Sequence, residues 1–269
     1  MTPPMPPLAS DKMPLFIVGS MRSGSTFLRD MLRRVPNFIC PEETHFLRWA
    51  APFRTGDGMV PHIHNTLLAR HREIDGVDQD TYDLLLDNCV SKGNLQRRYI
   101  SAFAAAKGVS EPFRWFDKTP QNIYGLPTIL AEFPRARVLH LVRNPLNVVA
   151  SLQLGHQVSV PDIEGAINCW TEAVLTWDAM ARCAPRRMLE VRYEDILADV
   201  PGTLASIMDF AQVDCPKGLW KPTDAHREKD KWKTVLSFED AMRVARRCDR
   251  LASRRGYDLL AQVDTPPRG

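Results

Sequence analysis

No stretch of the 269 residues approaches the ~18 to 20 consecutive apolar residues needed to span a bilayer. The opening "MTPPMPPLASDKM" has four prolines and no apolar core, so it lacks the pattern of a secretory signal, and residues 1–12 are expected to form a flexible tail. Charge bias is missing as well. Thirty-five basic side chains face 32 acidic ones, a net +3, too even for nucleic-acid binding by bulk electrostatics. Any anion recognition must come from local placement. The six cysteines (Cys40, Cys89, Cys169, Cys183, Cys215, Cys248) show no CxxC spacing, which speaks against a disulfide framework or a zinc ribbon. They are expected as reduced, mostly buried thiols in a cytoplasmic chain. The 44% hydrophobic and 25% charged composition is that of an ordinary globular protein, long enough for one substantial core over residues 13–269.

Five short runs read as strands: Leu15 to Val18, Phe38 to Cys40, Phe113 to Phe116, Val138 to Val142 and Met188 to Val191. Being apolar on nearly both faces, they suit a parallel sheet covered by helices. Between them, Phe27, Leu28, Met31, Leu32 and Val35 share one helical face, and Ile163 to Met180 repeats apolar residues at three and four. Asn144-Pro145 supplies a cap and a first-turn proline for another helix. The alternation predicts an α/β, three-layer, P-loop-like fold with right-handed crossovers. Residues 50–110 fit less well and are expected as a mostly helical insertion near the acceptor side, with "APFRTGDGMVPHIH" a loop and Thr81 to Lys107 helical. A metal at His62 and His64 is not expected, since an i, i+2 pair in such a loop is ordinarily solvated.

The first strand leads into Gly19-Ser20-Met21-Arg22-Ser23-Gly24-Ser25-Thr26, which keeps the glycine spacing of a phosphate loop but has Ser25 in place of its lysine. Gly24 lets backbone approach an anion, the next helix offers free N–H groups, and Arg22, Ser23, Ser25 and Thr26 add donors. A generic turn with a serine cap would share some of these features. No aspartate stands at a strand end to hold Mg²⁺, as a nucleoside triphosphate would require. Instead "RVLHLVRNPLNVVASL" ends a strand in Arg143 and places Ser151 eight residues on. Two phosphate sites on one sheet imply a nucleotide phosphorylated at two separate positions.

This pair of motifs resembles the PAPS-dependent sulfotransferases, whose donor is 3′-phosphoadenosine 5′-phosphosulfate. "RSGST" at 22–26 and "RNPLNVVAS" at 143–151 match the 5′-phosphosulfate loop and the 3′-phosphate R-x7-S pair. "PEET" (41–44), "FDKTP" (116–120), "VRYEDIL" (191–197), "KW" (231–232) and "RRGYD" (254–258) follow in family order, most like the tyrosylprotein, glycan and bacterial branch. Arg22, Glu42, Lys118, Arg143 and Tyr193 each fall just past a predicted strand, so a parallel sheet would gather them at one edge.

The resemblance implies sulfuryl transfer to a hydroxyl or amine without a metal. Glu42 is the expected general base, with Glu43 its rival. Lys118 and Arg22 are expected at the transferring group, Arg143 and Ser151 at the 3′-phosphate, Tyr193 near the adenine or packed under the sheet edge, and Lys231 on the donor's phosphates, its register blurred by Lys229 and Lys233. The dull role for Lys118 is a salt bridge to Asp117. A transition-state serine has no clear counterpart beyond Thr223, and Gly155 stands where some relatives carry a basic residue. A small-molecule, glycan or lipid acceptor is expected in a bacterial, cytoplasmic setting, with Trp49 and Phe53 either lining its channel or packing in the core. The competing readings are a P-loop kinase and a nucleotide-binding protein without chemistry.

Overall fold

The computed structural model describes residues 4–10, 12–155, 158–225 and 230–264. Five strands form one parallel sheet: β1 (Leu15–Gly19), β2 (Phe38–Ile39), β3 (Arg114–Lys118), β4 (Arg137–Val142) and β5 (Met188–Arg192), in the order β2-β3-β1-β4-β5. All five coincide with the apolar runs of the sequence, with ends shifted by one or two residues. Because every neighbour pair is parallel, all carboxyl ends lie along one edge.

Alternation along β1 divides the core. Leu15 and Ile17 face α1 (Ser25–Leu32), while Phe16 and Val18 face the opposite layer. The insertion supplies four helices: α2 (Gly56–His64), α3 (Thr66–Asp75), α4 (Gln79–Asn88) and α5 (Lys92–Ala106). Leu85 of α4 and Tyr99 and Ile100 of α5 cover the Phe16 face, joined by Ile129 of α6 (Leu126–Glu132). Asn144 accepts the Leu146 N–H at 3.0 Å and opens α7 (Pro145–Gln153), as the Asn-Pro pair predicts. The amphipathic repeat forms α8 (Ile163–Ala181), whose Trp177 joins the Phe16 cluster and whose Trp170 packs with α7. On the Leu15 side lie Ile196 of α9 (Tyr193–Ala198) and Leu204 and Ile207 of α10 (Val200–Ala211). Trp232 of α11 (Trp232–Val235), Val244 of α12 (Phe238–Ser253) and Leu259 of α13 (Leu259–Asp264) close over α7 and α8.

Three expectations need correction. The segment before residue 65 is not all loop, because Thr55 Oγ1 accepts the Gly58 N–H and starts α2, which runs through Pro61. His62 is therefore not solvated: it is buried against Phe46, Trp49 and Phe53, and burial, Lys92 and Arg72 lower its pKa to about 4. His64 is exposed, so the two rings do not form a pair. Trp49 and Phe53 thus serve at least as packing around His62. Residues 4–10 do not hang free: Met5 packs on the core, Ala9 is buried and the Trp115 indole donates to Ser10 O at 2.9 Å. All six cysteines are free; Cys40, Cys89 and Cys248 are buried, and Cys183 is exposed.

Candidate active site

The loop after β1 is held open by its backbone. Gly24 caps α1 with φ +92° and, having no side chain, leaves the start of that helix without a cap bond of its own. Arg22 adopts φ +67°, a left-handed conformation that a non-glycine residue rarely takes and that marks a shaped loop. Ser23 is fully buried, and its Oγ has no hydrogen-bond partner among the described residues. Such an orphan is costly unless a ligand completes it. Ser25 is buried at the helix start, while Thr26 is exposed. The donor set therefore suits an anionic group at the α1 N-terminus.

Gly24 also permits close packing: a Cβ there would overlap the Tyr193 ring. Gly24→Ala is expected to cost about 2–4 kcal/mol, combining left-handed strain with overpacking. A lowered melting temperature measured by calorimetry would check it.

The end of β4 reaches the same loop. Arg143 donates through a guanidinium NH₂ group to Arg22 O at 3.1 Å, and Arg22 Nε donates to Ser151 Oγ on α7 at 2.9 Å. The two anion motifs, more than a hundred residues apart in sequence, are thus in direct contact. Arg143 also lies over the Tyr193 ring, 4.8 Å from its centroid. Tyr193 itself is buried beneath the loop, with Phe27 edge-on at 6.2 Å.

On the other side of β1, Lys118 is the last residue of β3 rather than a residue beyond it. Its side chain is buried and its ammonium is paired with Glu43 Oε1. Asp117 is not its partner, because successive strand residues point to opposite faces. That carboxylate accepts from Thr44 Oγ1 at 2.8 Å and Asn122 Nδ2 at 2.9 Å, and burial lifts its pKa to about 6 against those bonds. For Glu43, burial alone would raise the pKa, but His45 and Lys118 outweigh it and hold the carboxyl at about 2.

Glu42, the expected base, is turned elsewhere. Its carboxylate pairs with Arg29 at 2.6 Å and Arg33 at 3.2 Å on α1, and its N–H donates to Asp75 Oδ1 at 2.9 Å. The two arginines overcome burial and keep Glu42 ionised. Glu42 lines a cavity of about 440 Å³ with Arg33, Ile74, Phe103 and Lys107, which neither Lys118 nor Arg22 borders. Of the two neighbouring carboxylates, only Glu43 meets Lys118.

Residues 14–217 match the sulfotransferase family. The chain belongs to it. Among curated relatives it is similar to a putative protein-tyrosine sulfotransferase of Caenorhabditis briggsae, 24% identical over 73% of this chain and 64% of that protein. It is also similar to an omega-hydroxy-beta-dihydromenaquinone-9 sulfotransferase of Mycobacterium bovis, 23% identical over 71% of this chain and 60% of that one. The chain thus spans about three-fifths of the length of these relatives. Among solved structures, the sulfotransferase domain of the Synechococcus PCC 7002 olefin synthase superposes with a TM-score of 0.63 at 22% identity, covering 95% of this chain and 98% of that domain.

Several family motifs have structural work. Glu194 of "VRYEDIL" accepts the Asn144 N–H at 2.9 Å and the Tyr257 hydroxyl of "RRGYD" at 2.7 Å, tying α7 to the C-terminal segment. Arg255 binds Glu190 at 2.9 Å and Asp178 at 2.5 Å. Lys231 stands at the N-cap of α11, which packs against α7, and it is exposed. Lys229 lies outside the described residues, and Lys233 pairs with Asp230 at 3.4 Å. Thr223 sits on a short turn, Pro222–Asp224, whose Asp224 pairs with Arg34. Sequence reasoning missed His45 and His71, which contact Glu43, and Arg48 and Gln121, which lie behind His45. The only signal for them was the position of His45 and Arg48 directly after "PEET". No helix among the described residues is long and apolar enough to cross a membrane.

Proposed function

We propose that this chain transfers a sulfuryl group from 3′-phosphoadenosine 5′-phosphosulfate to an acceptor hydroxyl, with Glu43 as general base. The observation that carries this reading is the contact of Arg22 with Ser151 and Arg143, which lets two anion cradles serve one small nucleotide. The α1 N-terminus with Ser23, Gly24, Ser25 and Thr26 would hold the 5′-phosphosulfate. Arg143 and Ser151 would hold the 3′-phosphate, and Tyr193 shapes the loop from below rather than offering a free adenine platform. Lys231, exposed at the start of α11 against α7, would add a cation to the donor's phosphates.

In the reaction, the sulfur–oxygen bond to the phosphate breaks as a sulfur–oxygen bond to the acceptor forms, and the acceptor's proton passes to Glu43. In this reading Lys118 leaves Glu43 for the departing oxygen as negative charge builds there, and Arg22 adds a second cation for the same charge. That exchange raises the basicity of Glu43 when it is needed, because a carboxylate held near 2 by its partners is a weak base. His71 of α3 donates to Glu43 O at 2.9 Å, so the helical insertion borders the base. Arg48, Gln121 and the exposed Tyr124 form the rim on this side. A hydroxyl-bearing small molecule, glycan or lipid is the acceptor class we propose, and the two curated relatives, named for a protein tyrosine and a hydroxylated menaquinone, are consistent with a hydroxyl.

Calorimetry tests the nucleotide assignment. The chain is expected to bind 3′-phosphoadenosine 5′-phosphate about 10- to 100-fold more tightly than adenosine 5′-phosphate, the value of one or two charge-assisted hydrogen bonds. Arg143→Ala should erase that preference. Equal affinity for the two nucleotides, or tighter binding of ATP with Mg²⁺, would count against the proposal and favour a kinase.

A further inference from the structure

We infer that His45 is a positioning residue that decides which oxygen of Glu43 receives the acceptor's proton, and that Arg48 fixes the tautomer His45 needs for this. The inference rests on the reading of Glu43 as base.

The chemistry follows from which atoms can donate. Arg48 approaches His45 Nδ1 at 3.2 Å, and a guanidinium has only donors, so Nδ1 must present its lone pair. The ring proton of a neutral His45 is then on Nε2. That nitrogen lies 3.3 Å from Glu43 Oε2, an ion-pair distance whose angle falls short of a well-formed hydrogen bond in the free protein. A second proton on the ring would point at Arg48. Burial accordingly lowers the His45 pKa, against the pull of Glu43.

With Oε2 facing His45 Nε2 at 3.3 Å, Oε1 is the oxygen on Lys118. Oε1 is therefore the one uncovered when Lys118 turns to the leaving oxygen. The lever is braced on both sides. Arg48 binds Gln121 and lies 4.8 Å from the centre of the Trp49 ring, and the His71 ring stacks on His45 with centroids 6.2 Å apart. The titratable and charged groups facing the Glu43–His45 pair are Lys118 and Asp117 of β3, His71 of α3, Arg48, and Tyr124 beyond Arg48. Of these, Arg48 is the cation that holds His45 in a single donor role.

The test compares the parent with His45→Ala, His45→Gln, Arg48→Met and Glu43→Gln. Turnover is read as sulfate transfer from labelled 3′-phosphoadenosine 5′-phosphosulfate to 2-naphthol, a primary alcohol and water, across pH. Binding of 3′-phosphoadenosine 5′-phosphate serves as the folding check. His45→Ala should lower kcat by about 10- to 100-fold, the loss of one hydrogen bond to a charged group. It should leave nucleotide affinity in place and move the acidic limb of the rate to higher pH, because Glu43 loses a donor. His45→Gln, which keeps an N–H at similar reach, should recover much of the rate. Nitrogen-15 NMR of the parent should show His45 neutral and protonated on Nε2, and Arg48→Met should mix the tautomers. A His45 protonated on Nδ1 in the parent would overturn the inference. So would an unchanged kcat and acidic limb in His45→Ala while Glu43→Gln is inactive; that result would leave the base assignment standing. Full turnover in Glu43→Gln would instead remove the base reading, and this inference with it.

Discussion

A Glu43→Gln variant is expected to lose about 10²- to 10⁴-fold in turnover, the usual worth of a positioned general base. Its affinity for 3′-phosphoadenosine 5′-phosphate should stay close to that of the parent, because the anion cradles are built on β1, β4 and α7. Glutamine keeps the shape but cannot take a proton. The comparison is Glu42→Gln, which removes the charge facing Arg29 and Arg33 and should lower the melting temperature while sparing turnover. The sign of the pH dependence also separates them. With the Glu43 pKa depressed to about 2, the carboxylate persists above that value and its activity is lost only as pH falls through it. In kcat/KM, which reports the free enzyme, the parent should therefore show no acidic limb from this group across ordinary assay conditions, whereas the limb in kcat reports Glu43 once Lys118 has turned away. A collapse of rate in Glu42→Gln, with Glu43→Gln active, would restore the assignment that the sequence alone suggested.

Lys118→Met should be the second large effect, lowering kcat by about 10²- to 10³-fold through loss of a preorganised charge at the leaving oxygen. The same change strips Glu43 of a cation, so burial dominates and the carboxyl pKa rises; the acidic limb then moves up into the measurable range. Folding should suffer as well, because a largely buried carboxylate is left with one partner fewer. Combining Lys118→Met with Glu43→Gln should return part of that lost stability, with a coupling of about 0.5–3 kcal/mol in thermal melts. Additive losses in the double variant would mean that the ion pair does not hold the site together.

The frame was legible because parallel strands buried on both faces leave uninterrupted apolar runs, as at Leu15 to Val18 and Val138 to Val142. The meeting of Arg143, Ser151 and the Gly24 loop was legible because both motifs end neighbouring strands of a parallel sheet, whose carboxyl ends share one edge. Which of Glu42 and Glu43 meets Lys118 was not. β2 is only two residues long, so strand alternation does not extend to position 42, and the outcome is set by Arg29 and Arg33 one helical turn apart on α1. Those arginines, at i and i+4 on a helix otherwise given to the core, were the available clue. The α2 helix escaped notice because glycines and Pro61 conceal its pattern, and its stability comes from the Thr55 cap and the burial of His62. The docking of residues 4–10 depends on partners such as Trp115, a hundred positions away.

The pairing of Ile17 with Lys118 in the β1–β3 ladder has a further consequence. Side chains alternate along β3, so sliding that strand by a single position would present Asp117 where the ammonium now stands. The site would change from cationic to anionic with no residue substituted. Phe16 against Trp115 on one side of the sheet and Phe38 against Phe116 on the other guard against this, together with the bonds from Thr44 and Asn122 to Asp117. Packing and hydrogen bonds away from the ammonium thereby set the polarity at the end of β3.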